Sequence, residues 1–167
     1  MKVESSGIVN GIIEDRFGAR GTQFNVNGHG TYSLPYQVTG EPEGTQSFAL
    51  FLEDKDAVPV TQGFAWTHWV ACNISRNYLK ENESISAGDF VQGLNSYISV
   101  QGGSQSRELS VGYCGMSPPD GPHVYELTVY ALDCFLELSN GFYMNEMFRK
   151  MDGHVLDSAV IKGVYNK

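Results

Sequence analysis

Carboxylate and imidazole side chains stand at the ends of apolar segments, where they could form a polar site. Asp54 and Asp56 follow the apolar run SFALFL. Because they are two residues apart, both carboxylates should lie on one side of an extended chain. His68 lies inside the run AWTHWVACNI, two residues after Trp66. In a strand these two side chains should therefore project to one face. The two segments together offer acids and an imidazole for hydrogen bonding or proton transfer.

A second imidazole and a phenol follow a stiff turn. The stretch GYCGMSPPDGPHVY begins at residue 112 and leads into the apolar run HVYELTVYALD. In that run His123 and Tyr125 share a face. Two imidazoles and a phenol can bind an oxyanion, and they bind it more strongly when a histidine is protonated. Anion binding is therefore one chemistry that these residue types favour.

Other interpretations of the same residues stay open at this point. A histidine inside an apolar strand is commonly a core residue, and Asp-x-Asp at a strand end is commonly a turn signal. Asp54, His68 and His123 could form a hydrolytic or phosphoryl-transfer site, although Cys114 is a weak candidate nucleophile. Two histidines and two acids could bind zinc or a harder ion, but their spacing matches no short metal motif. We therefore predict no catalytic residue, no metal site and no cofactor.

Strands must position these side chains. Short apolar runs separated by turn residues predict strands at residues 11–14, 31–40, 47–54, 65–74 and 123–133. Pro35 makes the second of these an edge strand, and the continuous apolar run in the third indicates a buried strand. Residues 75–88 and 95–109 are predicted to be loops. The pattern indicates a mostly antiparallel sheet protein.

The C-terminal part has a different pattern. Phe142, Met144, Met147 and Phe148 recur at helical spacing, and Gly153 is a stop signal, so a core-facing helix is predicted. A second helix is predicted at residues 155–161. The expected architecture is a sheet with helices near the C-terminus.

Composition excludes several classes of partner. The chain has 167 residues, enough for one domain, and a net charge of −8 with no cluster of basic residues. Nucleic acid and acidic membrane surfaces are therefore not expected partners. No apolar stretch is long enough to span a bilayer, and the N-terminus lacks the apolar core of a signal peptide. Three separated cysteines fit reduced thiols, so a cytoplasmic location is predicted.

Three separated motifs, FLEDKDA, WTHWVACNI and YCGMSPPDGPHVYELTVYALD, occur in this order along the chain. Taken together, they resemble the phosphatidylethanolamine-binding protein family, whose members are also called Raf-kinase-inhibitor-like proteins. The bacterial branch is the more similar, including the stretch GLNSY at residues 93–97. The resemblance implies a mostly β fold over residues 1–167, a Greek-key antiparallel β-sandwich with short helices, two of them C-terminal. It also implies a small pocket for an anionic group at one end.

The resemblance also implies which residues bind the ligand. Gly115, Ser117, Pro118 and Pro119 would shape one wall, because Gly permits close backbone approach and Pro removes conformational freedom. The full set implied as ligand-binding is Asp54, Asp56, Trp66, His68, Gly115, Ser117, Pro118, Pro119, His123 and Tyr125.

Departures from the family pattern bear on this site. Lys55 replaces a family proline and could bring a positive charge to the pocket mouth. Val124 replaces a family arginine, which leaves Asp54 without an expected ion-pair partner. The loop at residues 99–109, which contains Gly102 and Gly103, is longer than in typical relatives and is expected to cover the mouth.

The implied function is binding of a small anion, of the phosphate or phospholipid head-group type, with a regulatory or inhibitory role towards another protein. The alternative is a hydrolase or phosphoryl-transfer enzyme that uses the Asp and His side chains of the pocket. The expected partners are a small anionic ligand and an unidentified protein, without nucleic acid or integral membrane association. A homodimer is a further option, because bacterial relatives often dimerise.

Overall fold

The computed structural model describes residues 1–167, which form two β-sheets. The larger sheet has seven strands in the spatial order β2–β3–β10–β9–β5–β6–β8, and the smaller has three in the order β1–β4–β7. In chain order the strands are β1 (Lys2–Glu4), β2 (Ile8–Val9), β3 (Ile12–Ile13), β4 (Tyr36–Thr39), β5 (Ser47–Asp54), β6 (Trp66–Ile74), β7 (Tyr78–Leu79), β8 (Val91–Gln92), β9 (His123–Leu132) and β10 (Val155–Tyr165).

Helices are short and connect the strands. The α-helices are α1 (Val58–Thr61), α2 (Arg107–Ser110) and α3 (Met144–Met151), and single 3₁₀ turns span Asp15–Phe17, Glu83–Ser86 and Ser96–Ile98. None of these helices has the length and apolar character that a membrane crossing requires. The prediction of a mostly β fold with short helices is confirmed.

The centre of the larger sheet has Greek-key topology. Strands β5, β6 and β8 are neighbours in the larger sheet and pair antiparallel. Between β6 and β8 the chain forms β7, which belongs to the smaller sheet. The long connection that follows β8 returns the chain to β9 on the other side of β5, where the pairing is again antiparallel. This order places the strand ends of β5, β6 and β9 side by side.

Two apolar cores cover the two faces of the larger sheet, which explains the continuous apolar sequence of β5. Phe48, Leu50 and Leu52 face the smaller sheet, in a core of 21 buried residues. Ala49 and Phe51 face the opposite side, in a second core of 9 buried residues that includes α3. A strand covered on both faces needs apolar residues at every position, not at alternate ones.

The C-terminal helix α3 covers the second core. Met147 and Met151 are buried, Phe142 just before the helix is buried, and Phe148 packs at the edge of the same cluster. Met144, which shared the predicted apolar face, is 37% exposed at the first turn of the helix. The predicted helix is therefore present with its apolar face against the sheet.

The second predicted C-terminal helix is wrong, because residues 155–161 begin β10. β10 pairs antiparallel with β9 from Val155↔Leu132 to Tyr165↔His123, with one bulge after Val155. The β-branched residues of VLDSAVIKGVY suit a strand, and the long partner β9 satisfies its backbone groups. Tertiary pairing thus overrides the short helical spacing of the apolar residues, and only one of the two expected C-terminal helices exists.

Other strand predictions hold in part. The predicted strand at residues 11–14 is the short β3 beside β2, and the one at residues 31–40 is only Tyr36–Thr39. The prediction of an edge strand is wrong, because β4 is paired on both sides as the middle strand of the smaller sheet, and Pro35 lies just before it, where it removes no ladder hydrogen bond. Residues 75–88, predicted to be loop, include the two-residue strand β7 and a 3₁₀ turn. The predicted loop at residues 95–109 carries a 3₁₀ turn and most of α2.

Glycines allow the segment before the Pro-Pro turn to pack against the N-terminal lead-in. The Gly115 N–H donates to the Gly30 carbonyl at 2.8 Å, and the Met116 carbonyl accepts from the Ala19 N–H at 2.8 Å. A Cβ on Gly115 would lie 3.0 Å from both the Gly18 Cα and the Phe17 carbonyl oxygen, which are backbone atoms. A side chain at this position would push the segment away from the lead-in.

We predict that Gly115→Ala lowers the free energy of unfolding by about 1–3 kcal/mol, because backbone atoms cannot move aside as a side chain does. Gly121→Ala, in the same connection, is the matched control, since nothing lies within 4 Å of its added Cβ. The control should change stability by less than about 0.5 kcal/mol. Urea denaturation measures both, and equal effects of the two substitutions would contradict the close packing at Gly115.

Candidate functional site

The three segments predicted to carry the site meet at one end of the larger sheet. Asp54, the last residue of β5, pairs with Tyr125 of β9 on one side and with Trp66 of β6 on the other. Directly paired residues of neighbouring strands project to the same face. Side chains from three strands therefore converge beside Asp54.

A β-bulge brings His68 into this group. The β5–β6 register shifts by one residue, so that Leu52 opposes Trp69 while Glu53 opposes Thr67. His68 is the extra residue in β6, and a bulge of this kind redirects a side chain without ending the strand. His68 consequently lies close to Tyr125, with ring centroids 5.1 Å apart and the rings at 73°.

These residues line a cavity of about 200 Å³. Nine of the ten predicted ligand-binding residues contribute to its wall: Asp54, Trp66, His68, Gly115, Ser117, Pro118, Pro119, His123 and Tyr125. The cavity is smaller than the roughly 300–1,000 Å³ of pockets for drug-sized ligands. Its volume suits a small ligand.

Asp56, the tenth predicted residue, does not line the cavity. Its side chain is exposed, and its Oδ2 accepts a hydrogen bond of 2.8 Å from the backbone N–H of Val124. The expected shared face of Asp54 and Asp56 is absent, because β5 ends at Asp54 and the chain turns towards α1. Asp56 thus ties this turn to the first residues of β9.

His123 is held between two carboxylates. Its Nδ1 lies 2.7 Å from Asp54 Oδ2, and its Nε2 lies 2.7 Å from Asp120 Oδ1. Burial alone would lower the pKa of His123, but the hydrogen bonds and charges of Asp54 and Asp120 outweigh it and raise that pKa. An imidazole between two carboxylates donates from both nitrogens, which is the bonding pattern of the protonated ring.

Asp54 has a second role in the turn after β5. Its Oδ1 accepts a hydrogen bond of 3.1 Å from the backbone N–H of Ala57, while Oδ2 bonds His123. Both oxygens of this buried carboxylate are therefore bonded, and the carboxylate fixes the orientation of the imidazole. The expectation that Asp54 lacks a partner is wrong, because it is paired with His123.

His68 is held in one tautomer by the backbone of Cys114. The Cys114 N–H donates to the His68 carbonyl at 2.9 Å, and the His68 Nδ1 lies 2.8 Å from the Cys114 carbonyl oxygen. Because a carbonyl only accepts, Nδ1 carries the hydrogen. Burial lowers the pKa of His68, so the ring is neutral and its Nε2 offers a lone pair.

Tyr125 completes the polar group. Its ring is 2% exposed, and burial, followed by the charge of Asp54, raises the pKa of its hydroxyl. The hydroxyl therefore remains protonated and can donate a hydrogen bond. The cavity thus presents one charged imidazole, one neutral imidazole and one phenol.

Lys55 lies away from the cavity, on the opposite face of the sheet. Its Nζ contacts Glu126 at 2.8 Å and Glu53 at 3.2 Å. This contact joins the end of β5 to β9 on the outer face. The expectation of a positive charge at the pocket mouth is therefore wrong.

Five cavity residues were outside the predicted set: Ala57, Val60, Thr61, Tyr97 and Gln101. The first three belong to the turn and helix α1 after β5. Tyr97 follows the GLNS stretch and packs edge-on against Trp66, with ring centroids 5.1 Å apart. Gln101 belongs to the loop at residues 99–109, which was expected to cover the pocket mouth. That expectation was the only indication from the sequence that Gln101 would line the cavity.

The cysteine whose backbone bonds His68 has no features of a nucleophile. Cys114 is buried, and burial raises the pKa of its thiol to about 12. Reactive cysteines instead have a lowered pKa. Its Sγ lies 3.6 Å from His68 Nδ1, but that nitrogen is the one already bonded to the Cys114 carbonyl.

The family comparison covers nearly the whole chain. A family model described as phosphatidylethanolamine-binding protein matches residues 5–166. The uncharacterized protein YxkA of Bacillus subtilis is 40% identical over 143 residues, which cover 84% of this chain and 84% of that protein. A UPF0098 protein of Chlamydia trachomatis is 34% identical over 138 residues, covering 81% of this chain and 83% of the relative.

Solved structures have the same fold. A structure described as a putative phosphatidylethanolamine-binding protein homolog, CT736 of Chlamydia trachomatis, has a TM-score of 0.79 and 29% identity, covering 99% of this chain and 97% of that chain. YbcL of E. coli, described as a member of the mammalian PEBP family, has a TM-score of 0.74 and 24% identity, covering 99% and 98%. The second likeness is one of fold alone.

We predict that the two pocket histidines titrate on opposite sides of the ordinary value of about 6.5. His123 should titrate above it, because of Asp54 and Asp120, and His68 below it, because of burial. A ¹⁵N NMR pH titration of the imidazole nitrogens measures both.

The same shifts predict opposite effects on stability. His123, with a raised native pKa, stabilises the fold below the unfolded pKa and loses this contribution as pH rises through its native pKa. His68, with a lowered native pKa, destabilises the fold as pH falls below the unfolded pKa. Titration of both rings on the same side of the ordinary value would refute the assignment of one charged and one neutral imidazole.

Proposed function

This chain belongs to the phosphatidylethanolamine-binding protein family, and on that premise we propose that its cavity binds a small singly charged oxyanion of the phosphate or phospholipid head-group type. The observation that carries the proposal is the bonding of His123. Its inner nitrogen is bonded to buried Asp54, and its outer nitrogen to Asp120, whose side chain is 59% exposed. A carboxylate from the surface thus occupies the place that a ligand oxyanion would take.

Exchange of Asp120 for a ligand is electrostatically balanced. Asp120 lies in the Pro-Pro-Asp-Gly turn at the cavity wall, and its only bonded partner among side chains is His123. A ligand with one negative charge would replace one negative charge beside the imidazolium. Solvation of the released carboxylate then offsets part of the cost of desolvating the ligand.

The other polar groups would recognise a ligand with both donors and acceptors. Tyr125 can donate to a second ligand oxygen, while the neutral His68 can accept through Nε2. A protonated phosphate oxygen or the ammonium of a head group would supply the hydrogen. Trp66 and Tyr97 add aromatic walls beside these groups.

The remaining charge limits the ligand to a monoanion. Buried Asp54 stays beside His123 in every state, and neither Lys nor Arg lines the cavity. A dianion would bring a second negative charge, for which the cavity has no second cation. The fixed carboxylate of Asp54 would repel that charge. Phosphate monoanions, phosphodiesters and carboxylates therefore fit better than phosphate dianions.

Binding has more support than turnover. The hydrolase alternative needs an activated nucleophile, and the nearby Cys114 is buried with a raised thiol pKa. A regulatory or inhibitory role towards another protein remains a prediction that rests on family resemblance. A cytoplasmic location also remains a prediction, consistent with the three free cysteines.

We predict that dimethyl phosphate, which carries one negative charge between pH 6 and pH 8, raises the thermal unfolding midpoint of the protein. The shift should be larger at pH 6, because more of His123 is protonated there. Isothermal titration calorimetry gives the affinity at both values. Because the ligand charge is constant, the pH dependence reports on the protein.

The corresponding substitution is His123→Gln, which keeps a donor but removes the charge. We expect it to weaken dimethyl phosphate binding about ten- to a hundredfold, since hydrogen bonds to charged groups contribute about 1.5–3 kcal/mol. Urea denaturation of the variant checks that it still folds. A folded His123→Gln protein with unchanged affinity would show that the anion does not bind at His123.

We further predict that Asp120→Asn strengthens dimethyl phosphate binding by up to about fivefold, because it releases His123 from a solvent-screened ion pair, and such pairs are weak. Asp152→Asn, an exposed aspartate after α3, is the control because it changes the net charge equally. Equal gains from the two variants would mean that net charge alone acts, and a loss for Asp120→Asn would mean that Asp120 helps to bind the ligand.

A further inference from the structure

We propose that Asp133, Cys134 and His154 bind a single divalent transition-metal ion of the zinc class. These residues lie at the opposite end of the β9–β10 pair from the anion cavity. Asp133 and Cys134 directly follow β9, and His154 directly precedes β10. The ten-residue length of β9 separates the two sites by about 30 Å, so the metal site is independent of the proposed anion binding.

The donor atoms are already close together. One carboxylate oxygen, the thiol sulfur and an imidazole nitrogen all lie within 4.8 Å of one another. The Asp133 Oδ1 and His154 Nδ1 are 2.8 Å apart. Zinc bonds of about 2.0–2.3 Å at tetrahedral angles require donor separations of about 3.5 Å. Small side-chain rotations would therefore bring the three donors onto one ion.

The backbone holds the three residues in this arrangement. The Asp133 N–H donates to the His154 carbonyl at 3.1 Å, and the neighbouring residues Leu132 and Val155 are paired in the sheet. The Cys134 carbonyl accepts a hydrogen bond from the hydroxyl of Ser47. Ligands fixed by their backbones lose little conformational freedom when a metal binds.

The donor set selects the class of ion. Thiolate and imidazole suit zinc and its neighbours among the transition metals, whereas magnesium and calcium prefer oxygen donors. Three protein ligands leave a fourth tetrahedral position for water. On binding, the Cys134 thiol forms a sulfur–metal bond and releases its proton to solvent, so the complex has one proton fewer than the separated protein and ion.

The thiol distinguishes this group from an ordinary surface ion pair. An exposed His–Asp pair, such as Asp133 with His154, contributes little and is common in proteins. Cys134 is only partly buried and lies beside that pair, whereas Cys72 and Cys114 are buried. A metal ion can therefore reach one of the three thiols together with two further ligands.

The test is a titration of the reduced, chelator-treated full-length protein with Co²⁺, which is the spectroscopic probe for a zinc-type site. We expect one equivalent of Co²⁺ to produce a thiolate-to-cobalt charge-transfer band and the visible bands of tetrahedral cobalt. Zn²⁺ should remove both by competition and raise the thermal unfolding midpoint.

Substitutions identify the ligands. Cys134→Ser should abolish the charge-transfer band, and His154→Gln and Asp133→Asn should each weaken Co²⁺ binding by about tenfold or more. Cys72→Ala is the matched thiol control and should retain the full spectrum, since Cys72 is buried and is not one of the three donor residues. Circular dichroism checks that each variant is folded. Absence of the charge-transfer band in the wild-type protein, or its persistence in Cys134→Ser, would overturn the proposal.

Discussion

The cavity depends on the position of β5 between β6 and β9. Because Asp54 ends a strand that is paired on both sides, its carboxylate has Trp66 on one side and Tyr125 on the other. The Greek-key return from β8 to β9 brings in the residues of the Pro-Pro turn, and the bulge in β6 adds His68. Without the antiparallel pairing of these three strands, the polar residues would lie on separate surfaces.

The two pocket histidines differ because carboxylates surround one ring and burial dominates the other. The two carboxylates bonded to His123 favour its charged ring. Burial favours the neutral ring of His68, although its hydrogen bond to the Cys114 carbonyl acts in the opposite direction. Two histidines on strands β6 and β9, with β5 between them, thus provide a donor with positive charge and an acceptor. This pair of opposite hydrogen-bonding properties suits a ligand that has both an anionic oxygen and a proton to donate.

Side-chain contacts join the end of β5 to the start of β9. Asp54 bonds His123, Asp56 accepts from the Val124 backbone, and Lys55 bridges Glu53 and Glu126 on the outer face. Asp54, Lys55 and Asp56 of the segment FLEDKDA therefore make contacts in three different places. Only Asp54 reaches the cavity, because the chain turns immediately after it.

The sequence by itself determined the fold class, the central strands and nine of the cavity residues, because apolar runs, turn residues and family motifs are local patterns. Helix α3 could also be predicted, because its apolar residues recur at helical spacing. The tertiary structure alone decided that residues 155–161 form a strand, because β9 satisfies their backbone hydrogen bonds. It alone placed Asp120 against His123 and gathered Asp133, Cys134 and His154, since contacts between residues distant in the chain, or across a turn, depend on strand register.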